Sequence, residues 1–284
     1  MRPEDLWDIE DEYEEQYAKY AAAGSMAAKT QRLAVVSIAR NAMPHLPNTL
    51  ALVEELAGRF CSTQFYCFEN DSKDETAKTL DDFAELRQWV TVEHGTLGGE
   101  DTRGFEPDRT HRLAHCRNKC RDWVEANAAD ANFVAVLDVD PHGGFSVDGV
   151  LNSVGWFCDL LGKSSPTFAP GAMASYSLYV QNKENANVTV VHYDAWAARL
   201  SWWEDRREKE GGNLWFHYLM PPVGSQPIPM NSAFGGLCLY TKDAFLSGRY
   251  AGGDCEHVSF HRAMRRAGYQ LYLNPGSRYV AILP

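Results

Sequence analysis

Between Leu33 and Asp140 the sequence repeats one arrangement, and that repetition limits the fold more than any other feature. Short, mostly apolar runs alternate with longer stretches in which apolar residues recur every third or fourth position. The runs "LAVVSIAR", "TQFYCFEN", "WVTVEH" and "FVAVLDVD" read as strands, and "PNTLALVEELAGRF", "DETAKTLDDFAELR" and "DRTHRLAHCRNKCRDWVEANA" as the helices between them. Strands that are apolar along both faces need cover on both, which helices on either side of a sheet provide. Strands separated by such helices pair in parallel through right-handed crossovers. The pattern predicts an α/β fold with a Rossmann-like, mixed and mainly parallel sheet flanked by helices. Ligands of such sheets lie beyond the carboxyl ends of the strands. Asn41, Asp71 and the segment from Asp138 to Asp140 all fall just past predicted strand ends, so a site is expected along that edge.

Beyond residue 150 the signals are less regular. "DGVLNSVGWFCDLL" reads as a helix, "MASYSLYV" and "VTVVHYD" as strands, and "WWEDRREKEGGN" as a charged loop ahead of the Pro-rich "PPVGSQPIP". A strand "FGGLCLY", a helix "CEHVSFHRAMRRAG" and a strand "YQLYLNP" complete the chain. The first thirty residues differ from the rest. Leu6, Ile9, Tyr13, Tyr17 and Tyr20 are spaced by threes and fours with acids between them, as in an amphipathic helix. Residues 1–30 are therefore expected to form a helical arm, tied by "AAAGSMAAKTQ" as a linker to a main domain over 31–284. Its apolar side either covers the chain's own core or meets a second copy in a homo-oligomer.

The composition supports a sizeable core, with 45% hydrophobic residues in 284. A formal charge of −11 and a pI near 5.3 argue against nucleic acid as a partner, although a local basic channel is compatible with them. The acidic start "MRPEDLWDIEDEYEEQY" lacks the basic and apolar regions of a secretory signal, and no apolar run has the length of a membrane span. Seven cysteines without a C-x-x-C pair read as reduced thiols, so a soluble cytoplasmic protein is expected. Cys116 and Cys120 lack two further zinc ligands at suitable spacing and are read as packing residues.

Asp138 and Asp140 are two apart at the end of a strand, where side chains repeat with period two, so both point the same way. Together they can share a divalent ion, and oxygen ligands favour Mg²⁺ or Mn²⁺ over zinc. A surface turn in which Asp140 merely precedes Pro141 is the alternative.

The order "VVSIARN", "FENDSKDET", "HRLAHCRNK", "FVAVLDVD", "FGGLCLY" and "CEHVSFHRAMRRAGYQLYLNP" resembles the GT-A class of nucleotide-sugar glycosyltransferases. In style it is similar to family 2 enzymes and to fungal capsule-type mannosyltransferases. The resemblance implies a nucleotide-binding half over 31–145 and an acceptor-binding half over 146–284. It implies that Ser37, Ala39 and Arg40 line the nucleotide pocket and that Asp71 contacts the base. Arg112 and Arg117 would meet the diphosphate, beside Asp138, Val139 and Asp140 at the metal and donor. Gly235 and Gly236 would let backbone approach the donor, or else only permit tight strand packing. Tyr193, Asp194, Trp196 and Arg199 would bind a carbohydrate acceptor, with Trp202 and Trp203 extending that surface. The loop Gly95 to Asp108 and the stretch Trp202 to Pro229 are expected to hold acceptor specificity.

One departure stands out. Where the family 2 pattern has Glu then Asp, this chain has Glu256 and His257. The resemblance then leaves Glu256, or Asp254, to deprotonate the acceptor in an inverting reaction. His257 or His261, one helical turn apart, would complete the metal shell, or both are hydrogen-bonded core histidines. The implied activity is metal-dependent transfer of a sugar from a UDP- or GDP-linked donor to a carbohydrate or glycoconjugate hydroxyl. A sugar nucleotidylyltransferase is the alternative enzyme, disfavoured because "SIARNAMP" lacks that class's glycine-rich loop. A non-catalytic carbohydrate- or nucleotide-binding relative is the other alternative.

Overall fold

The computed structural model describes residues 2–98, 106–163, 168–182, 188–200 and 220–282. In chain order, the first half contains α1 (Glu14–Ala28), β1 (Arg32–Ala39), α2 (Leu46–Ala57), β2 (Ser62–Asn70), α3 (Thr76–Glu85), β3 (Val90–Gly95), α4 (Pro107–Asn127) and β4 (Phe133–Asp138). The second half contains β5 (Gly144–Phe145), α5 (Val147–Leu161), β6 (Ala169–Asn182), β7 (Val188–His192), β8 (Ile228–Met230), β9 (Leu237–Thr241), α6 (Lys242–Leu246), α7 (Glu256–Arg266) and β10 (Tyr269–Ile282).

Period-two alternation divides the core into two layers. In β1, Leu33 and Val35 pack on one side of the sheet and Ala34 and Val36 on the other, and all four are buried. The first layer joins residues of α2 and α5, and the second joins α4, α6 and α7. Cys116 and Cys120 of α4 belong to the second layer, and the Cys120 thiol donates to the Ser37 carbonyl at 3.3 Å.

The described strands form one sheet in the order β3-β2-β1-β4-β9-β6-β10-β5, with β7 added beside β6 and β8 beside β10. The first four strands are parallel, as their helical connections require. Beyond β4 the pairings of β9 with β4 and β6 are antiparallel, so the parallel character belongs chiefly to the first half. The sheet grows outward from β1 through β2 to β3, and then β4 joins the opposite side of β1. That reversal between β1 and β4 opens a crevice beyond their carboxyl ends.

The amino-terminal arm differs from its expected form. The α-helix starts at Glu14, so Leu6 and Ile9 precede it, beside short 3₁₀ turns at Pro3–Asp5 and Asp11–Tyr13. Most of the expected linker, up to Ala28, is the second half of α1. Glycines let α1 and α5 touch backbone to backbone. A Cβ on Gly24 would lie 1.7 Å from the Leu151 carbonyl oxygen, and one on Gly155 2.0 Å from that of Tyr20. Tyr20 stacks on Trp156 with ring centres 3.6 Å apart. Arg278 donates to the Trp7 carbonyl, fastening the segment before the helix to β10. Of the two roles expected for the arm, covering its own chain is the one the structure displays.

Candidate active site

The crevice at the reversal is a cleft of about 510 Å³. Ala39 and Arg40 come from the end of β1, and Asp138, Val139 and Asp140 from the end of β4. Arg109, Arg112 and Arg117 reach it from α4, Tyr193, Asp194 and Trp196 from the turn after β7, and Glu256 and His257 from the first turn of α7. An acidic chain thus gathers four arginines around one opening.

Arg117 organises the floor. Its Nε donates to Glu256 Oε1 and its Nη2 to Asp138 Oδ1, both at 2.9 Å, while its guanidinium lies over the Phe234 ring. Burial alone would lower the arginine's pKa, but Asp138 and Glu256 outweigh it and hold the guanidinium well above its usual range. Asp138 is further fixed through its backbone. Its N–H donates to the Gly236 carbonyl at 2.8 Å, and its own carbonyl accepts the Tyr279 hydroxyl at 3.2 Å. Gly236 has φ +77°, and a Cβ there would meet the Tyr279 ring at 2.3 Å, so only glycine allows this contact. Gly235, with φ +68°, lies against Ser175 and donates its N–H to Asp194. The glycine pair thus serves close strand packing and places two cleft acids.

Asp140 and Asp194 are not hydrogen-bonded to any guanidinium among the described residues. Asp140 opens onto the cleft, yet the surrounding walls limit its solvation; with the Asp138 charge they push its carboxyl up to about 6. Asp194 is half-buried and accepts from the backbone of Gly235 and Ala197. Desolvation, with help from Asp138 and Glu256, pushes it up to about 7. His257 stacks on Phe234 at 3.8 Å, and burial and Arg117 drive its pKa well down, so it is a neutral imidazole.

Several residues expected at the site lie elsewhere. Ser37 is buried inside β1. Asp71, at φ +52°, turns its carboxylate onto the Leu97 N–H at 2.9 Å and the Asn70 amide at 3.2 Å, so it shapes the loop after β3 instead of presenting itself in the cleft. Its neighbour Asn70 lines the cleft. Arg199 is fully buried, donates to the carbonyls of Trp196 and Ala198, and pairs with Asp254 at 3.3 Å. Neither partner is available to an acceptor. Asp254 also accepts the Cys255 N–H just ahead of α7. His261 is a core histidine: Ser232 Oγ and Tyr240 Oη occupy its two nitrogens at 2.9 and 2.8 Å, which removes it from the metal shell. Trp202 and Trp203, and much of the two expected specificity segments, lie outside the described residues. Arg109 was not expected; its spacing of three from Arg112 on α4 is the signal that places both on one face.

A divalent ion fits part of this arrangement. Among the described residues no three or more His, Cys, Asp or Glu side chains are grouped to hold a metal, so a cage made wholly of protein is not built here. His257 therefore does not complete one. Asp138 and Asp140 offer a pair of carboxylates two residues apart on the cleft wall. Two carboxylates, with phosphate oxygens and water supplying the rest, form a donor set suited to Mg²⁺ or Mn²⁺.

No family model and no curated protein matches the sequence. Solved structures match its architecture. The crystal structure of GalNAc-T7 with UDP, GalNAc and Mn²⁺ aligns at a TM-score of 0.53 and 15% identity, covering 100% of this chain and 53% of that one. The mannosyltransferase PcManGT from Pyrobaculum calidifontis, in complex with GDP-Man and Mn²⁺, aligns at 0.49 and 14% identity over 95% of this chain and 66% of its own. S. aureus TarS with UDP-GlcNAc aligns at 0.46 and 11% identity over 89% of this chain and 59% of its own. The fold is the GT-A fold of glycosyltransferases, a curled mixed sheet flanked by helices. This chain spans about half the length of GalNAc-T7. No described helix is long and apolar enough to cross a membrane.

Proposed function

We propose that this protein transfers a sugar from a UDP- or GDP-linked donor to a hydroxyl of a carbohydrate or glycoconjugate. The observation that carries the reading is the cleft at the β1/β4 reversal of a GT-A sheet, where Asp138 and Asp140 meet Arg40, Arg109 and Arg112. An anion with several oxygens suits the guanidiniums, and a hard cation suits the carboxylates. The neighbouring fold of GalNAc-T7, solved with UDP, GalNAc and Mn²⁺, supports a nucleoside diphosphate and a divalent cation as the ligands.

Asp138 and Asp140 would hold Mn²⁺ or Mg²⁺, which when bound draws charge from the departing diphosphate. Arg40, Arg109 and Arg112 bind phosphate oxygens and stabilise the negative charge that grows as the glycosidic bond breaks. Arg117 has a different task from the diphosphate contact expected of it: it locks Asp138 and Glu256 in place. Tyr193 and Trp196 offer ring faces to the acceptor sugar, with the Arg109 guanidinium 6.0 Å from the Trp196 ring centre.

A thermal-shift panel of nucleoside diphosphates with and without Mn²⁺ tests the reading. UDP or GDP should stabilise the protein in a Mn²⁺-dependent manner, and Asp140→Ala should abolish the effect. Absence of stabilisation by every nucleotide would overturn the proposal. Turnover of the matching nucleotide sugar then separates a transferase from a binding protein.

A further inference from the structure

The acids around the cleft differ in what restrains them. Asp138 and Glu256 share the Arg117 guanidinium, and Asp254 is held by Arg199 outside the cleft. Asp194 sits on the wall between the ring-bearing Tyr193 and Trp196, and its hydrogen bonds come from the backbone of Gly235, at 2.9 Å, and Ala197. Neutral donors fix the direction of a carboxylate without cancelling its charge. The Gly235 contact is itself determined, because that residue has φ +68° and lies against the Ser175 carbonyl.

The geometry points to Asp194 as the base that takes the proton of the acceptor hydroxyl, an inference that rests on the transferase reading above. As the acceptor oxygen bonds to the anomeric carbon of the donor sugar, its proton passes to the Asp194 carboxylate. The bond from that carbon to the phosphate oxygen breaks, and its electron pair leaves with the nucleoside diphosphate. Single displacement of this kind inverts the anomeric configuration. A carboxyl pushed up to about 7 by desolvation is matched to proton transfer near neutrality. The other groups are less suited. Glu256 Oε1 is committed to the buried pair with Arg117, and His257 is driven too low to hold a proton.

Asp194→Asn tests the assignment, since the amide keeps the shape and its oxygen can still accept from Gly235. Calorimetry with UDP or GDP and Mn²⁺ is paired with transfer rates at saturating donor. The variant should bind nucleotide within about threefold of wild type while kcat falls on the order of 10²- to 10⁴-fold. Formate should restore part of the transfer lost in Asp194→Ala, and the product should have the anomeric configuration opposite to the donor. Glu256→Gln should weaken nucleotide binding instead, through the loosened Arg117. Transfer by Asp194→Asn within about tenfold of wild type, parallel loss of nucleotide affinity, or a product of retained configuration would each overturn the assignment. Wild-type protein that binds no nucleotide sinks the transferase reading first, and the base with it, before any variant is made.

Discussion

The floor of the cleft and its wall carry the same functional group in opposite electrical settings. On the floor, Asp138 and Glu256 flank one buried guanidinium, each at 2.9 Å. On the wall, Asp194 is oriented by backbone N–H groups, and Asp140 opens onto the cleft beside Asp138. Compensated acids of the first kind hold their surroundings in register, because separating a buried charge from its partner is costly. Uncompensated acids of the second kind carry raised pKa values and are left to a cation, a proton or a ligand. The difference separates acids clamped by an arginine from acids left without one, within a single cleft.

The sharpest way to break this comparison is to remove the shared cation. Arg117→Met leaves the buried Glu256 and the half-buried Asp138 without their partner and should cost about 3–5 kcal/mol, read as a fall in the urea midpoint. Adding Glu256→Gln should recover part of that loss. A single substitution costing under about 1 kcal/mol would mean that the floor is not held by this pair. Next in size is Gly236→Ala. Its Cβ would collide with Tyr279, which bonds the Asp138 carbonyl, so about 1–3 kcal/mol should be lost. Nucleotide affinity should fall with it, because Gly236 also accepts the Asp138 N–H.

The two regions were unequally legible in the sequence. Strands β1, β2 and β4 and the neighbouring helices announce themselves because these strands are mostly buried and each helix carries a local period. Asp138 and Asp140 follow from strand period alone. The compensation is not local: Arg117 finds Glu256 across 139 positions, and Arg199 finds Asp254 across 55. Residue types suggested a diphosphate contact, an acceptor contact and a base, while packing made all four residues ion-pair partners, Arg117 with Glu256 inside the cleft and Arg199 with Asp254 outside its lining. His261 shows the same limit, since only the fold brings Ser232 and Tyr240 to its ring. Short β5 and β8, with two and three residues, carry too little pattern to be recognised, and β8 contains Pro229.

Asp140 provides a smaller test of the wall. Its folded-state carboxyl lies near 6, above its ordinary value of 3.8, so wild-type stability from this group is complete below about pH 4 and falls as pH rises toward 6. In metal-free protein Asp140→Asn should therefore be stabilising at pH 7, with the difference vanishing near pH 4. The gain should be roughly 1 kcal/mol, less than the whole shift implies, because the side chain is open to the cleft. With Mn²⁺ and nucleotide present the order should reverse, as the variant loses a ligand oxygen. Melting curves at both pH values, with and without Mn²⁺ and UDP or GDP, read both signs.

The smallest expected effect lies at the sheet's outer edge, where compensation is itself titratable. His94 on β3 bonds Glu69 Oε2 through Nδ1 at 2.8 Å and Asp81 Oδ1 through Nε2 at 2.9 Å. The bonds to Glu69 and Asp81 raise the imidazole above its ordinary 6.5. A raised histidine stabilises fully below the unfolded value and loses that contribution as pH rises through the folded one. His94→Gln keeps two polar contacts but no charge, so it should destabilise at pH 5.5, with the difference shrinking as pH rises. Because the ring is partly exposed, the effect at low pH should stay under about 1 kcal/mol. Glu69 links this edge to the cleft, since its other oxygen accepts the Ser72 N–H in the turn that also receives Asn41. Nucleotide affinity in His94→Gln should therefore converge on that of wild type as pH rises and the imidazole loses its charge. A difference in affinity that does not shrink with rising pH would mean that the edge shapes the cleft by packing and not by charge.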